Sequence, residues 1–498
     1  MNYVPSEKST LSLWDTWVYI TEDGTIHLFF LAGMNHEQWG YAGHAVSQDW
    51  LHWNELPPIK LSGENGAWDY GAVGTGMIFR YDDGRYYMTY TGKLNGNQQC
   101  HGLQVSNDLV HWEKLSPEGP VWARSQKPPY ERDENRSTLQ AWRDAFVTRN
   151  PNGEWEAVCA GRIDSGPHAG RGCLGRCRIE TLNRWIDLPP LADVGHYAAM
   201  EVPEIFEFAG RYWVIFSSGS GWGIRLGTPE RPIASGTFFL SSENWEGPYS
   251  AIANNLLIGA GFNKMSAYVA RTIEYQGQRL VYHHYAGNNG PAAFGWPKVL
   301  NADGDKLFLT AWEGIDKLRI GKLELINWNA LSNGPKIPGK WQVDGNVIHG
   351  ECELGASVLC NNIETTNVDI EIELTIHSGV RAGLVTGLSA SLNNKGIACL
   401  FDAEANEITI GEVYTWENAS GPNLSQIIDC VHCPVEYNRT YLLRQIHRNR
   451  YVELYVDNRL VFSTVTDFVP ETNGIGCALE SAKADFVIKQ AHELESFQ

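Results

Sequence analysis

Trp14-Asp15-Thr16-Trp17-Val18-Tyr19-Ile20 runs into the turn Asp23-Gly24, and this frame sets the reading of the first two-thirds of the chain. Trp17 to Ile20 are β-branched or aromatic, which predicts a strand entering a tight hairpin. Comparable turns recur at Asp83-Gly84, Asn152-Gly153, Ala209-Gly210 and Gln276-Gly277, each followed by an apolar or aromatic return strand such as Arg85-Tyr86-Tyr87-Met88-Thr89-Tyr90. Intervals of 60, 69, 57 and 67 residues are too long for common solenoid units and suit four-stranded propeller blades with loops. The expected fold is all-β, a five-bladed β-propeller over residues 1–325.

A second repeat supports the blades. Ser47-Gln48-Asp49-Trp50-Leu51-His52-Trp53 returns 59 residues later as Ser106-Asn107-Asp108-Leu109-Val110-His111-Trp112. Because this heptad keeps step with the blade and not with the carboxylates, it is read as a packing and turn motif. After Leu325 the pattern changes. Residues 326–339 form a turn-rich linker, and short alternating strands such as 369–376, 441–445 and 451–456 then predict a C-terminal β-sandwich over residues 340–498.

Counting eight residues back from each turn gives Asp15, Thr75, Asp144, Glu201 and Tyr268. Inner strands of a propeller line one channel, so residues in the same phase should meet at its mouth. Strand alternation selects Glu201 over Glu204, with Pro203 as a place where a bulge could shift the register. Crowded carboxylates raise one another's pKa, and Arg143 is the one adjacent base. Two carboxyls flanking a bond, one ionised and one protonated, are the equipment for cleaving a glycosidic bond, and a third can hold sugar hydroxyls. Asp15, Asp144 and Glu201 are therefore the candidate catalytic residues. Trp14, Trp39, Trp68, Asp69, Thr75 and Arg143 are the candidate substrate contacts, with Trp17 and Trp222 as further aromatic platforms.

On these residues the chain resembles glycoside hydrolase family 32, the invertases, levanases and inulinases, and more distantly families 68 and 43. Trp14-Asp15 stands where that family has Trp-x-Asn-Asp-Pro-Asn, and Gly43-His44-Ala45-Val46-Ser47-Gln48-Asp49-Trp50-Leu51-His52-Trp53 is close to its Gly-His-Ala-x-Ser-x-Asp-Leu-x-His-Trp segment. Arg143-Asp144 is similar to its Arg-Asp-Pro motif, Glu201-Val202-Pro203-Glu204-Ile205-Phe206 to its Glu-Cys-Pro-Asp-Leu-Phe, and the strand Tyr451-Val452-Glu453-Leu454-Tyr455-Val456 to one in its sandwich. The resemblance implies a β-fructofuranosidase that retains configuration, with Asp15 as nucleophile, Asp144 as transition-state stabiliser and Glu201 as acid/base. The chain departs from the pattern at Ala145, Val202 and Leu31, which replace a proline, a cysteine and a fructose-binding glutamine, and it lacks the Asn and Pro around the nucleophile. Another furanoside such as an arabinofuranoside, cleaved with inversion, and a sugar-binding propeller without chemistry are therefore the alternatives.

Composition narrows the partners. A chain of 498 residues with 43% hydrophobic and 19% charged residues predicts two globular domains. A net charge of −19 disfavours nucleic acid and anionic membranes and leaves an oligosaccharide or polysaccharide as the expected partner. No apolar run reaches membrane-spanning length, and the first residues carry no export signal, so a cytoplasmic location is expected unless a leader was removed. Ten cysteines include Cys173-x3-Cys177 and Cys430-x2-Cys433, neither followed by a second ligand pair, so neither a metal nor any other cofactor is expected. Homo-oligomerisation stays open.

Overall fold

The computed structural model describes residues 3–6, 11–34, 39–94, 98–125, 127–131, 141–222, 225–262, 266–286, 291–332, 339–363, 365–388, 395–414, 423–470 and 473–496. Their contacts divide into two compact units, the first essentially Met1–Phe308 and the second essentially Leu309–Gln498, the second also taking in Pro229–Pro232 and Ala260–Phe262.

The first unit is the five-bladed propeller. Its inner strands are Trp14–Ile20, Gly74–Arg80, Arg143–Arg149, Glu201–Phe208 and Ala267–Tyr275, and each opens an antiparallel sheet whose main path has four strands in sequence order. The glycine turns all close inner hairpins, but in two ways. Blades one to three use five-residue loops, between the pairs Ile20↔Ile26, Arg80↔Tyr86 and Arg149↔Trp155. Blades four and five use two-residue loops, Ala209-Gly210 and Gln276-Gly277, in which both residues are left-handed (φ 49° and 76°, 50° and 78°). That geometry matches the twist of the strands, and glycine supplies one of its two positive φ values without strain.

The repeated heptads sit at the turn before the outermost strand. Asp49 Oδ1 accepts from the backbone N–H groups of Leu51 and His52, and Asp108 Oδ1 does the same for Val110 and His111. Trp53 and Trp112 donate their indole N–H to the carbonyls of Trp50 and Leu109, both left-handed at φ 67° and 65°. The motif is thus a turn that terminates itself through its own aspartate.

The second unit is a β-sandwich. Two long strands, Asn367–Thr386 and Asn473–Leu494, pair along their length. The first half of Asn367–Thr386 also pairs with Thr440–Arg448, and its second half with Lys395–Asp402. The bend between the halves falls at a register shift near Ser378, where Gly379 has φ 95° and Ser481 φ 44°. Ile370, Ile372, Leu374, Leu384, Phe401, Leu443, Val452 and Phe486 fill the space enclosed. Where the sequence places the propeller's end at 325, its last strand, Lys306–Ala311, ends earlier, and Arg319–Lys322 already pairs with Asn473–Leu494. Within the stretch read as linker, Trp328–Ser332 forms a strand on Ala356–Ile363, and residues 333–338 lie outside the described residues.

Asp49→Ala and Asp108→Ala each remove a charged acceptor from two turn N–H groups, and each should cost about 1 kcal/mol. Because the turns lie in different blades, the costs should add in the double variant, as measured by urea denaturation.

Candidate active site

Every inner strand carries one extra residue near its start. In blade one Trp14 pairs with Leu31 and Thr16 with Phe30, leaving Asp15 over. In the other four blades the three-residue steps Gly74 to Met77, Arg143 to Phe146, Glu201 to Glu204 and Tyr268 to Arg271 face two-residue steps on the neighbouring strand. Such a bulge re-aims side chains that alternation would send to opposite faces. The result is two rings around one cavity of about 580 Å³: Trp14, Gly74, Arg143, Glu201 and Tyr268 just before the bulge, and Asp15, Thr75, Asp144, Val202 and Val269 on it. Asp144, Val202 and Val269 take positive φ values of 63°, 47° and 50°, a strained choice for β-branched valine.

The two rings hold different chemistry. In the bulge ring Thr75 donates its hydroxyl to Asp15 Oδ2, and the Val202 N–H donates to Asp144 Oδ2 at 3.1 Å. In the ring before it Arg143 donates to Glu201 Oε1 at 2.7 Å and Tyr268 donates to Glu201 Oε2 at 2.6 Å. Arg143 also lies 3.5 Å from Asp144 Oδ2. Burial, reinforced by the charge of Asp144, pushes the Asp15 carboxyl up to about 7, against the pull of the Thr75 hydroxyl. Burial likewise pushes Asp144 up to about 6, with Arg143 opposing. The buried Arg271 guanidinium lowers both carboxyls from below the bulge. This arrangement can present a carboxylate to one side of a bound sugar and a firmly held second carboxyl to the other.

The sequence matches the family model for the glycosyl hydrolases family 32 N-terminal domain over residues 15–288, more than half of the chain. The chain belongs to glycoside hydrolase family 32. Among curated members it is 28% identical over 195 residues to a 6(G)-fructosyltransferase of Asparagus officinalis, and 27% identical over 210 residues to a sucrose-6-phosphate hydrolase of Zymomonas mobilis. Those matches cover 37% and 39% of this chain and only 30% and 38% of the relatives. In fold it is similar to the exo-inulinase of Aspergillus awamori (TM-score 0.66, 16% identity, all of both chains) and to a β-fructofuranosidase of Bombyx mori (TM-score 0.62, 16% identity, 98% and 94% of the two chains).

Seen within family 32, the site departs from the sequence reading in one systematic way. Counting back from the turns treats Asp15, Thr75, Asp144, Glu201 and Tyr268 as one phase, whereas Glu201 and Tyr268 stand one residue before the bulge and the other three on it. In blades four and five the turn dipeptide comes two residues sooner after the last strand pair, while the strand beyond the bulge is one residue longer, and the difference is the one-residue slip. All five still line the cavity, because the bulge admits both positions. Glu204 lies elsewhere, buried against the N–H and hydroxyl of Thr272.

Of the substrate contacts expected, Trp14, Trp39, Thr75 and Arg143 line the cavity, and Trp68 and Asp69 do not. Trp68 stacks on Tyr90 and donates to the Ser116 carbonyl, while Asp69 is buried between the Tyr90 hydroxyl at 2.6 Å and Lys114 at 2.5 Å. Both are structural members of blade two, whose loop ahead of the inner strand folds onto the blade. Trp17 is core, and the side chain of Trp222 lies outside the described residues. Leu31 lines the apolar wall with Trp14 and Trp39. Sequence reasoning missed Val202, Val269, Gly219, Gly221 and Ser235 as lining residues, and it left Tyr268 without a role although the turn count pointed to it.

Among the described residues, the one group able to converge on a metal ion is Glu407, Cys430 and His432 in the second unit. Cys173, Cys177 and Cys433 are not part of it, and all ten cysteines are free thiols.

Asp15 binds its proton more tightly in the folded protein than its ordinary value of 3.8 allows, so its contribution to stability is favourable at low pH and is lost as pH rises to about 7. Asp15→Asn should therefore raise the melting temperature at pH 8 and change it far less at pH 4. An equal shift at both values would mean that Asp15 is not a strained ionised group.

Proposed function

We propose that this protein is a glycosidase that hydrolyses β-fructofuranosides, such as sucrose, fructo-oligosaccharides or fructans, with retention of configuration. The observation that carries the reading is the convergence of Asp15 and Glu201 on one cavity in different settings. Asp15 is a buried carboxylate near Asp144, and Glu201 is a carboxyl held on both oxygens. Membership of family 32 supports the substrate class. So does the fold likeness to structures described as a Bombyx mori variant with sucrose and a Cichorium intybus exohydrolase variant with 1-kestose.

In this reading the sugar ring lies over the bulge ring, with its hydroxyls toward Thr75 and Asp144 and its apolar edges toward Val202 and Val269. Asp15 attacks the anomeric carbon while Glu201 gives a proton to the leaving oxygen. Glu201, now ionised, then takes a proton from the water that cleaves the Asp15 ester. Asp144 strengthens its hold on the hydroxyls as positive charge develops on the ring, which is stabilisation confined to the transition state. Because Asp15 must be ionised to attack, kcat/KM should fall as the pH drops below about 7.

The test is hydrolysis of sucrose and fructans by the purified protein. Asp15→Asn and Glu201→Gln should each lower kcat by roughly a thousandfold or more, and Asp144→Asn should lower kcat while moving KM little. The first-formed anomer, followed by NMR, should have the configuration of the substrate. Turnover that survives Asp15→Asn, or an inverted first product, would contradict the assignment.

A further inference from the structure

Glu201 is gripped by partners from the two blades that flank it, and those partners differ in what they tolerate. Arg143, from blade three, donates to Oε1 at 2.7 Å, and Tyr268, from blade five, donates to Oε2 at 2.6 Å. A guanidinium can only donate, so a proton on Oε1 would face another hydrogen. A phenol hydroxyl donates or accepts by rotating about one bond, so a proton on Oε2 is accommodated.

The surroundings of Tyr268 favour the same oxygen. The residue is 4% exposed, and its ring meets His284 edge-on; His284 is itself fully buried and packs tilted against Trp14 with ring centroids 4.8 Å apart. On the hydroxyl side the cavity wall is made of Gly219, Gly221 and Ser235, and a Cβ placed on Gly219 would lie 3.9 Å from the Tyr268 oxygen. Small residues there leave room for a leaving group next to Oε2, whereas Oε1 is closed off by Arg143.

Building on the role proposed for Glu201, we infer that Tyr268 is a positioning residue that makes Oε2 the oxygen carrying the transferable proton. When Oε2 carries a proton, the hydroxyl rotates, reverses that hydrogen bond and accepts from it. Once the leaving oxygen takes that hydrogen bond, the hydroxyl turns to donate to the remaining lone pair of Oε2. As the glycosidic C–O bond breaks, the Asp15 oxygen forms its bond to the anomeric carbon and the proton passes from Oε2 to the leaving oxygen. Glu201 ends as a carboxylate accepting from both Arg143 and Tyr268, and both bonds strengthen as its charge develops.

The test compares two substrates that differ in their need for an acid: sucrose, whose leaving oxygen must be protonated, and β-fructofuranosyl fluoride, whose leaving group needs little help. Tyr268→Phe should lower kcat/KM on sucrose by about tenfold or more and on the fluoride by less than about threefold. KM for both should be nearly unchanged. Tyr268→His, whose ring can donate and accept, should recover part of the sucrose activity and keeps the test open if the phenylalanine variant folds poorly. Equal losses on both substrates, or a rise in KM alone, would make Tyr268 a wall of the sugar site and overturn the inference. If that happens in a wild type that is active and is silenced by Glu201→Gln, the role of Glu201 survives. A wild type inactive on both substrates overturns both.

Discussion

An inner propeller strand with strict alternation would send one of two adjacent side chains into the channel and the other into its own blade. The extra residue near the start of each inner strand lifts that restriction in all five blades, and the site follows from it. Arg143 and Asp144 both reach the cavity from one strand, as do Trp14 and Asp15. Without the bulge, an acid held by a base and a buried carboxylate beside it could not come from such short segments. The local cost is visible in the left-handed backbone of Asp144, Val202 and Val269, and the surrounding sheets offset it through otherwise regular pairing.

The two rings separate two electrostatic tasks. On the bulge, burial and the charge of Asp144 raise Asp15, burial and the charge of Glu201 raise Asp144, and Thr75, Arg143 and Arg271 relieve only part of that cost. A positively charged sugar ring placed between the two aspartates would relieve the remainder, so the cavity favours the charge that would develop during glycosidic cleavage. Before the bulge, Glu201 is instead fixed in orientation by two short hydrogen bonds from neighbouring blades. One ring thus supplies charge and the other supplies direction.

Much of this was legible in the sequence, because a propeller repeats itself. The turn glycines mark five inner hairpins, and the heptads of Asp49 and Asp108 mark two outer turns, each signal arising from local chemistry that needs no tertiary knowledge. What stayed hidden was non-local. Trp68 and Asp69 lie just ahead of an inner strand and look like site residues, but Lys114 and Tyr90, distant in sequence, draw them into the blade. The one-residue phase slip of Glu201 and Tyr268 depends on loop and strand length, which a count from glycine cannot see. The 22-residue strand Asn473–Leu494 was missed for a related reason: its Ala, Glu and Lys content has no strand preference, and pairing on both edges overrides it.

In the mechanism proposed, Asp15 is a nucleophile and not a base that activates water. Glu201→Gln treated with β-fructofuranosyl fluoride tests it most directly, since the fluoride leaves without an acid while water cannot be activated to release the sugar. Rapid quenching, proteolysis and mass spectrometry should find one sugar unit esterified to the peptide containing Asp15, at the aspartate itself. Fluoride release in a burst with no sugar on Asp15, or a label on another residue, would contradict the account.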